Sequence, residues 1–228
     1  MAILNSLMMT ATGSGDTCEA LEGTMWTWGY GQVFGNGQGD ALTTNRSDPT
    51  QLGSGTNWTN NVGNYKSPAN VYHLIKSDGT LWGWGENTNG GVGDSTTTDR
   101  CSPVQVGALT DWAQVADSTS WAIAIKTDGT LWSWGKNVYG YLGHGDDTER
   151  SSPTQVGSLT DWASVDVGAY HCIALKTDGT MWGWGFGSKG EVGHGSTTSP
   201  QSPVQIGSAT DWIAIECYTF SSRALASV

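Results

Sequence analysis

The 228-residue chain carries 21 acidic against 10 basic side chains, a net charge of -11, with 37% apolar and only 14% charged residues, 33 glycines and 13 tryptophans. The acid excess argues against a phosphate-backbone binder, which needs clustered Lys and Arg. The tryptophan content argues against disorder, and no apolar run approaches the roughly 18 residues of a membrane span. A folded, acidic, soluble protein with neither a nucleic-acid nor a membrane partner is expected.

In chain order, the first segment is a leader or arm over residues 1–21. Met1 to Asp16 has no basic residue ahead of its apolar stretch and does not read as a secretory signal. Ala2 to Met9 is its one apolar run, either an outer strand or an arm that docks on a partner or neighbouring subunit. With no signal read, a reducing, cytoplasmic-type compartment is expected, and Cys18, Cys101, Cys172 and Cys217 read as thiols rather than disulfides. Cys172 lies in an apolar run and reads as a buried small hydrophobe.

Residues 22–228 are a tandem repeat. Lys76-Ser-Asp-Gly-Thr-Leu-Trp-Gly-Trp-Gly85 returns at Lys126 to Gly135 and at Lys176 to Gly185, and a degenerate copy runs from Glu22 to Gly29. A Pro-x-Gln-x-Gly marker starts at Pro49, Pro103, Pro153 and Pro203, and an Asx-Trp marker falls at Trp58, Trp112, Trp162 and Trp212. Residues 108–157 match 158–207 at 25 of 50 positions without a gap.

Each repeat reads as strands and turns. Trp121 to Lys126 and His171 to Lys176 are short apolar runs, and Asp128-Gly129 and Asp178-Gly179 follow at once as hairpin turns. The return strand, Thr130 to Trp134, places tryptophans at i and i+2 on one face. A Pro-initiated strand at Thr154 to Val156 and another at Trp162 to Val165 follow. The expected fold is all-β: a propeller of four tandem four-stranded blades. Extra residues in the first repeat, near 35–41 and between Trp58 and Val71, read as loops. The first half-repeat begins on the Trp-pair strand and the last ends on the strand that elsewhere precedes it. Pairing the two would close a ring in one chain and hide its edges; the alternative is an open arc completed by a second copy, so a homo-oligomer is compatible with the sequence.

The repeated indoles Trp26, Trp28, Trp58, Trp82, Trp84, Trp112, Trp132, Trp134, Trp162, Trp182, Trp184 and Trp212 are expected to form the blade-to-blade core; any left exposed would serve as a sugar-stacking platform. No catalytic, cofactor or metal set emerges. His144 and His194 share a turn slot with Asp94, and with Asp146, Asp147 and Glu149 they are the candidate binding residues on exposed turns. His73 stands by itself within its strand. Arg46, Arg100 and Arg150, each three residues before the Pro marker, read as internal salt bridges or turn caps.

The motif Lys-Thr-Asp-Gly-Thr-Leu-Trp-x-Trp-Gly, the Gly140-Tyr-Leu-Gly143 turn, Arg150 to Pro153, and Gly168 with His171, Ala174 and Leu175 resemble the repeats of the regulator of chromosome condensation family, in its compact, Trp-rich form. The resemblance covers residues 22–228. It implies a propeller, usually of seven blades, that works as a protein-binding platform, and it gives His171 a structural role. This chain has four repeats and no long insertion to act as an exchange wedge. A non-enzymatic module binding a protein partner is expected, as part of a larger assembly such as a virion head or tail decoration, located in the cytoplasm or on the virion. A glycan-binding propeller is the alternative.

Overall fold

The computed structural model describes residues 22–29, 46–59 and 70–228. Both loops read as insertions, and the arm before residue 22, lie outside the described residues.

The Asp-Gly hairpin is the unit of construction. Strand β9 (Trp121–Lys126) and β10 (Leu131–Gly135) pair antiparallel from Leu131 opposite Ile125 to Gly135 opposite Trp121. The turn is held by its own motif. Asp128 Oδ1 accepts from the Thr130 backbone N–H at 3.0 Å and from its hydroxyl at 2.6 Å, and Thr130 Oγ1 accepts from Trp132 Nε1 at 2.8 Å. The hydroxyl hydrogen bond holds the Asp128 carboxyl below the usual range. Gly129 has φ +77°, which a side chain would strain, and any Cβ there would collide with the Thr160 carbonyl of the next repeat. The same bonds recur at Asp78–Trp82 and Asp178–Trp182.

Four strands make a blade. β8 (Trp112–Asp117), β9, β10 and β11 (Arg150–Gln155) form one sheet, and β12 (Trp162–Val167), β13 (His171–Lys176), β14 (Met181–Gly185) and β15 (Val204–Gln205) form the next. β5 (Val71–Ile75), β6 (Leu81–Gly85) and β7 (Arg100–Gln105) form a third, to which β4 (Trp58–Thr59) is joined by a bridge between Trp58 and Lys76. No helix occurs among the described residues. At either end stands half a blade: β2 (Trp26–Gly29) with β3 (Arg46–Gln51), and β16 (Trp212–Cys217) with β17 (Ser222–Ala226). β1 (Glu22–Gly23) pairs with β4, tying the first half-blade to the first full one. Elsewhere the hairpin tip does this, the N–H of Trp112, Trp162 and Trp212 donating to the carbonyl of Gly79, Gly129 and Gly179.

The apolar core lies between blades, because strand side chains alternate faces. Ile75, Leu81 and Val106 of the first full blade pack on Trp112, Val115, Ala122, Ala124 and Trp134 of the second. Ile123, Ile125, Leu131 and Val156 pack likewise on Trp162, Val165, Ala174 and Trp184. Trp84, Trp134 and Trp184 are fully buried, and Trp58, Trp112, Trp162 and Trp121 nearly so. Trp82, Trp132 and Trp182 are half-buried, each under a lysine. Lys126 Nζ lies 5.0 Å from the Trp112 ring and 4.2 Å from the Trp132 ring, and 3.4 Å from Asp111. Lys76 and Lys176 repeat the sandwich. Cation–π attraction on two faces offsets the cost of burying the ammonium.

Two expectations need correcting. Trp26 is 47% exposed rather than part of the core, because no strand from the preceding side pairs with β2 among the described residues. Trp212 is half-buried and packs on the cluster of Leu175, Met181 and Ile206 across the last boundary, as expected of a core indole. The Trp28 side chain lies outside the described ones. Nor does His73 stand by itself: its Nδ1 meets Asp117 of the next blade at 2.6 Å, and both side chains are fully buried. Closure of one chain on itself is not among the described strand pairings.

Candidate protein-docking face

One end of the blades carries the hairpin tips and the links between blades. The opposite end carries the β8–β9, β12–β13 and β16–β17 turns and the long loops after β6, β10 and β14. The first two of these long loops are ordered from within by a buried asparagine. Asn137, fully buried, accepts the Leu142 N–H at 3.0 Å and donates to the carbonyls of Asp146 and Thr148 at 3.0 and 3.1 Å. Asn87 does the same one blade earlier, for Val92 and the Thr96 and Thr98 carbonyls.

On this end a chain of aromatic rings spans the blades. Tyr139 lies tilted 4.9 Å from Phe186 and 5.9 Å from Tyr141, Tyr170 lies 6.1 Å from Phe186 and 6.0 Å from Phe220, and Lys189 Nζ sits 5.1 Å over the Phe220 ring. Tyr141 is the buried root of the cluster, and burial drives its hydroxyl pKa far up. Val138, Tyr139 and Phe220 are each about half exposed (48, 46 and 51%). A contiguous exposed apolar group on a preorganised loop is what interfaces present and what isolated surfaces avoid.

The turn residues singled out from sequence stand on the same loops but are held internally. His144 Nε2 is 3.0 Å from Ser133 Oγ. Asp146 takes a bidentate contact from Arg150 at 3.0 and 2.9 Å, and this bond holds its carboxyl down at about 2. Glu149 accepts from Asn89 of the preceding blade at 3.0 Å. His194 bonds Ser196 and Thr198, and Asp147 is exposed. Arg100 and Arg150 cap their own turns through Asp94 and Asp146; the Arg46 side chain lies outside the described ones. His171 is buried, with Nε2 2.7 Å from Ser222 Oγ. Cys172 and Cys217 are buried thiols, and burial pushes that of Cys172 well up. Among the described residues no group of three or more His, Cys, Asp or Glu could hold a metal ion, and no helix is long and apolar enough to cross a membrane.

Burial lowers the His171 pKa to about 4, and His144 to the same value. The unfolded chain takes up these protons near pH 6.5 while the folded one does not, so stability must fall as pH drops from about 6.5 to about 4. His171 contributes up to about 3 kcal/mol over that window. Urea midpoints across pH 4–7 check this, and His171→Val, the residue at this place in the first full blade (Val71), should flatten the slope. The carboxylates held low by their turns act only below about pH 4.

Three full four-stranded blades stacked through indoles, flanked by half-blades, define part of a β-propeller whose loops rather than its core carry the variable chemistry. The chain belongs to the regulator of chromosome condensation (RCC1) repeat family: that repeat matches residues 78–124, 128–175 and 178–220. A second description of the same repeat matches 162–191. Among solved structures, human WBSCR16 superposes with a TM-score of 0.74 at 19% identity over 90% of this chain and 54% of its own. Prp20p from Saccharomyces cerevisiae gives 0.71 at 21% over 90% and 52%, and yeast RCC1 (Prp20) in a complex with Kap60 gives 0.68 at 21% over 90% and 51%. This chain thus spans about half the length of the propellers it matches. No curated protein matches the sequence.

Proposed function

We propose that this chain is a non-catalytic docking platform whose aromatic loop face takes up a protein partner. The observation that carries the reading is the ring cluster of Tyr139, Tyr170, Phe186 and Phe220, which crosses blade boundaries, with Tyr139 on a loop fixed by buried Asn137. The core tryptophans are occupied with packing, whereas these rings face solvent at positions where other repeats carry Asn89, Ser120 or Lys189. Membership in a repeat family whose solved relatives include one described by its binding to Gsp1p and histones and one bound to Kap60 favours the same kind of role. On this reading the platform serves a larger assembly, such as the head or tail of a virion.

The test replaces the two most exposed rings. Tyr139→Ala with Phe220→Ala is expected to change stability by no more than about 1 kcal/mol and to weaken partner capture by about 100-fold or more, since exposed aromatic anchors dominate interfaces. The measurement is recovery of bound protein or particle from the native source, wild type against variant, by quantitative mass spectrometry. Equal capture by both would overturn the reading. A fluorescence change with oligosaccharides that the variant loses would put a glycan in place of the protein.

A further inference from the structure

The aromatic face is densest at one blade junction, and the junctions on either side show what that one lacks. Between the second and third full blades, Tyr139, Tyr141, Tyr170 and Phe186 form a closed circuit of ring contacts, with centroids 5.9, 6.2, 6.1 and 4.9 Å apart in turn. Tyr141 is rooted beneath by stacking on Trp121 at 5.5 Å. Tyr139 and Tyr170 reach solvent, 46 and 37% exposed. One repeat earlier, the places of Tyr139, Tyr170 and Phe186 are held by Asn89, Ser120 and Lys136. One repeat later, those of Tyr139 and Tyr170 are held by Lys189 and Phe220. Each neighbouring set thus contains a lysine. At the later junction that lysine lies on a ring, Lys189 Nζ standing 5.1 Å over Phe220. The middle junction has rings at all of these places and a cation at none of them.

A carboxylate stands beside the circuit. After burial and the Tyr139 and Tyr170 hydroxyls, the charge of Glu149 adds to raising the Tyr141 hydroxyl pKa. Glu149 is exposed but fixed, since both of its oxygens accept from Asn89 Nδ2, at 3.0 and 3.1 Å, across the loops of two blades. The adjacent Arg150 is taken by Asp146. Among the described residues no lysine or arginine pairs with Glu149.

We infer that this junction takes its cation from the partner: a lysine ammonium or arginine guanidinium on a basic segment of the docked protein lies over Tyr139, Tyr170 and Phe186 and pairs with Glu149. The inference rests on the docking reading and names the chemistry of the partner. A cation placed over so tight a circuit meets several rings within the roughly 6 Å reach of a cation–π contact. The fixed carboxylate adds a charge-assisted hydrogen bond, and the net charge of -11 draws a basic segment toward the surface. The Lys189–Phe220 contact is the same arrangement made within the chain.

The test is a titration of the full chain, carrying carbon-13-labelled tyrosine and phenylalanine, followed through its ring signals by NMR at low salt. The probes are a peptide of three Gly-Ser-Lys repeats and one of three Gly-Ser-Arg repeats, each against its uncharged counterpart with acetyl-lysine or citrulline. At least one charged peptide should shift the Tyr139, Tyr170 and Phe186 signals saturably, and its uncharged counterpart should bind about 10-fold more weakly or worse. The tighter of the two charged peptides identifies the side chain. Tyr139→Leu with Tyr170→Leu, which keeps apolar area and removes two rings, should weaken that peptide about 10-fold, and Glu149→Gln about 3- to 5-fold. Charged peptides that leave the ring signals unmoved, uncharged ones that bind equally well, or a leucine variant that binds like wild type would overturn the inference. Far-UV circular dichroism checks each variant, and Tyr139→Leu alone decides where the double variant fails to fold. Partner capture lost in the Tyr139→Ala, Phe220→Ala chain, together with charged peptides that do not bind, leaves the docking reading standing and removes only this inference. Equal capture by both chains is the failure of the docking reading itself.

Discussion

Asp117→Val is expected to lower the stability of the chain by about 3–5 kcal/mol, the cost of removing one partner from a buried pair. Asp117 closes β8, and its carboxylate crosses the blade boundary to hold His73 of β5 twice: Oδ1 at 2.6 Å from Nδ1 and Oδ2 at 3.0 Å from the backbone N–H. His73 Nε2 lies 3.0 Å from the Val92 carbonyl, so the pair also anchors the glycine loop. The next boundary does the same job without charge, using Ile123 against Val167 in the corresponding places. Asp117→Val with His73→Ile therefore copies a solution the protein already uses, and Gly83 leaves room for it as Gly183 does beneath Ile173. The double variant should regain about half of the loss. The rest persists because the residue-73 N–H loses the carboxylate oxygen it meets at 3.0 Å, at about 1–3 kcal/mol. Urea unfolding of the four members of the cycle measures the coupling. A double variant that loses the sum of the two singles would show that the pair is not a unit.

That pair also shows where sequence reading reaches and where it stops. Strand count, hairpin positions and blade membership follow from the recurrence of Asp-Gly-Thr-x-Trp, because each residue of that motif bonds locally: Asp128 to Thr130, Thr130 to Trp132. Local bonds leave a local signature. His73 and Asp117 are 44 residues apart and meet only when two blades stack, so neither is informative by itself. A trace existed, for His73 stands where later repeats have Ile123 and Ile173, and Asp117 where they have Val167 and Cys217. Paired departures from a repeat mark contacts across its boundary. The aromatic face was hidden similarly. Tyr139, Tyr170 and Phe220 sit at loop positions without a shared residue type, whereas the recurring tryptophans mark the core. The lysine sandwiches were written in the motif itself, since Lys76, Lys126 and Lys176 never vary among the full repeats, yet a charged residue ending an apolar strand reads as a solvated edge until Trp112 and Trp132 are seen on either side of it.

The tryptophans of a single strand should differ sharply in what they contribute. Trp184→Ala is expected to cost about 3–5 kcal/mol, the range for removing a buried aromatic, and Trp182→Ala markedly less. The two are two residues apart on β14 and share a face, but Trp184 is fully buried and plugged into the preceding blade through its 2.8 Å bond to the Tyr141 carbonyl. Removing it leaves that buried carbonyl short of a partner and opens a cavity beside Gly143, whose left-handed φ of +80° allows no larger residue to fill the gap without strain. Trp182 is half-buried under Lys176, and water or the lysine stem can move into its place. Urea denaturation of both variants, followed by far-UV circular dichroism so that the lost indole does not alter the signal, gives the comparison directly. Equal losses would mean that the paired tryptophans stabilise the sheet itself rather than the seam between blades. A large loss for Trp184 alone makes the plugged indole the principal joint between neighbouring blades.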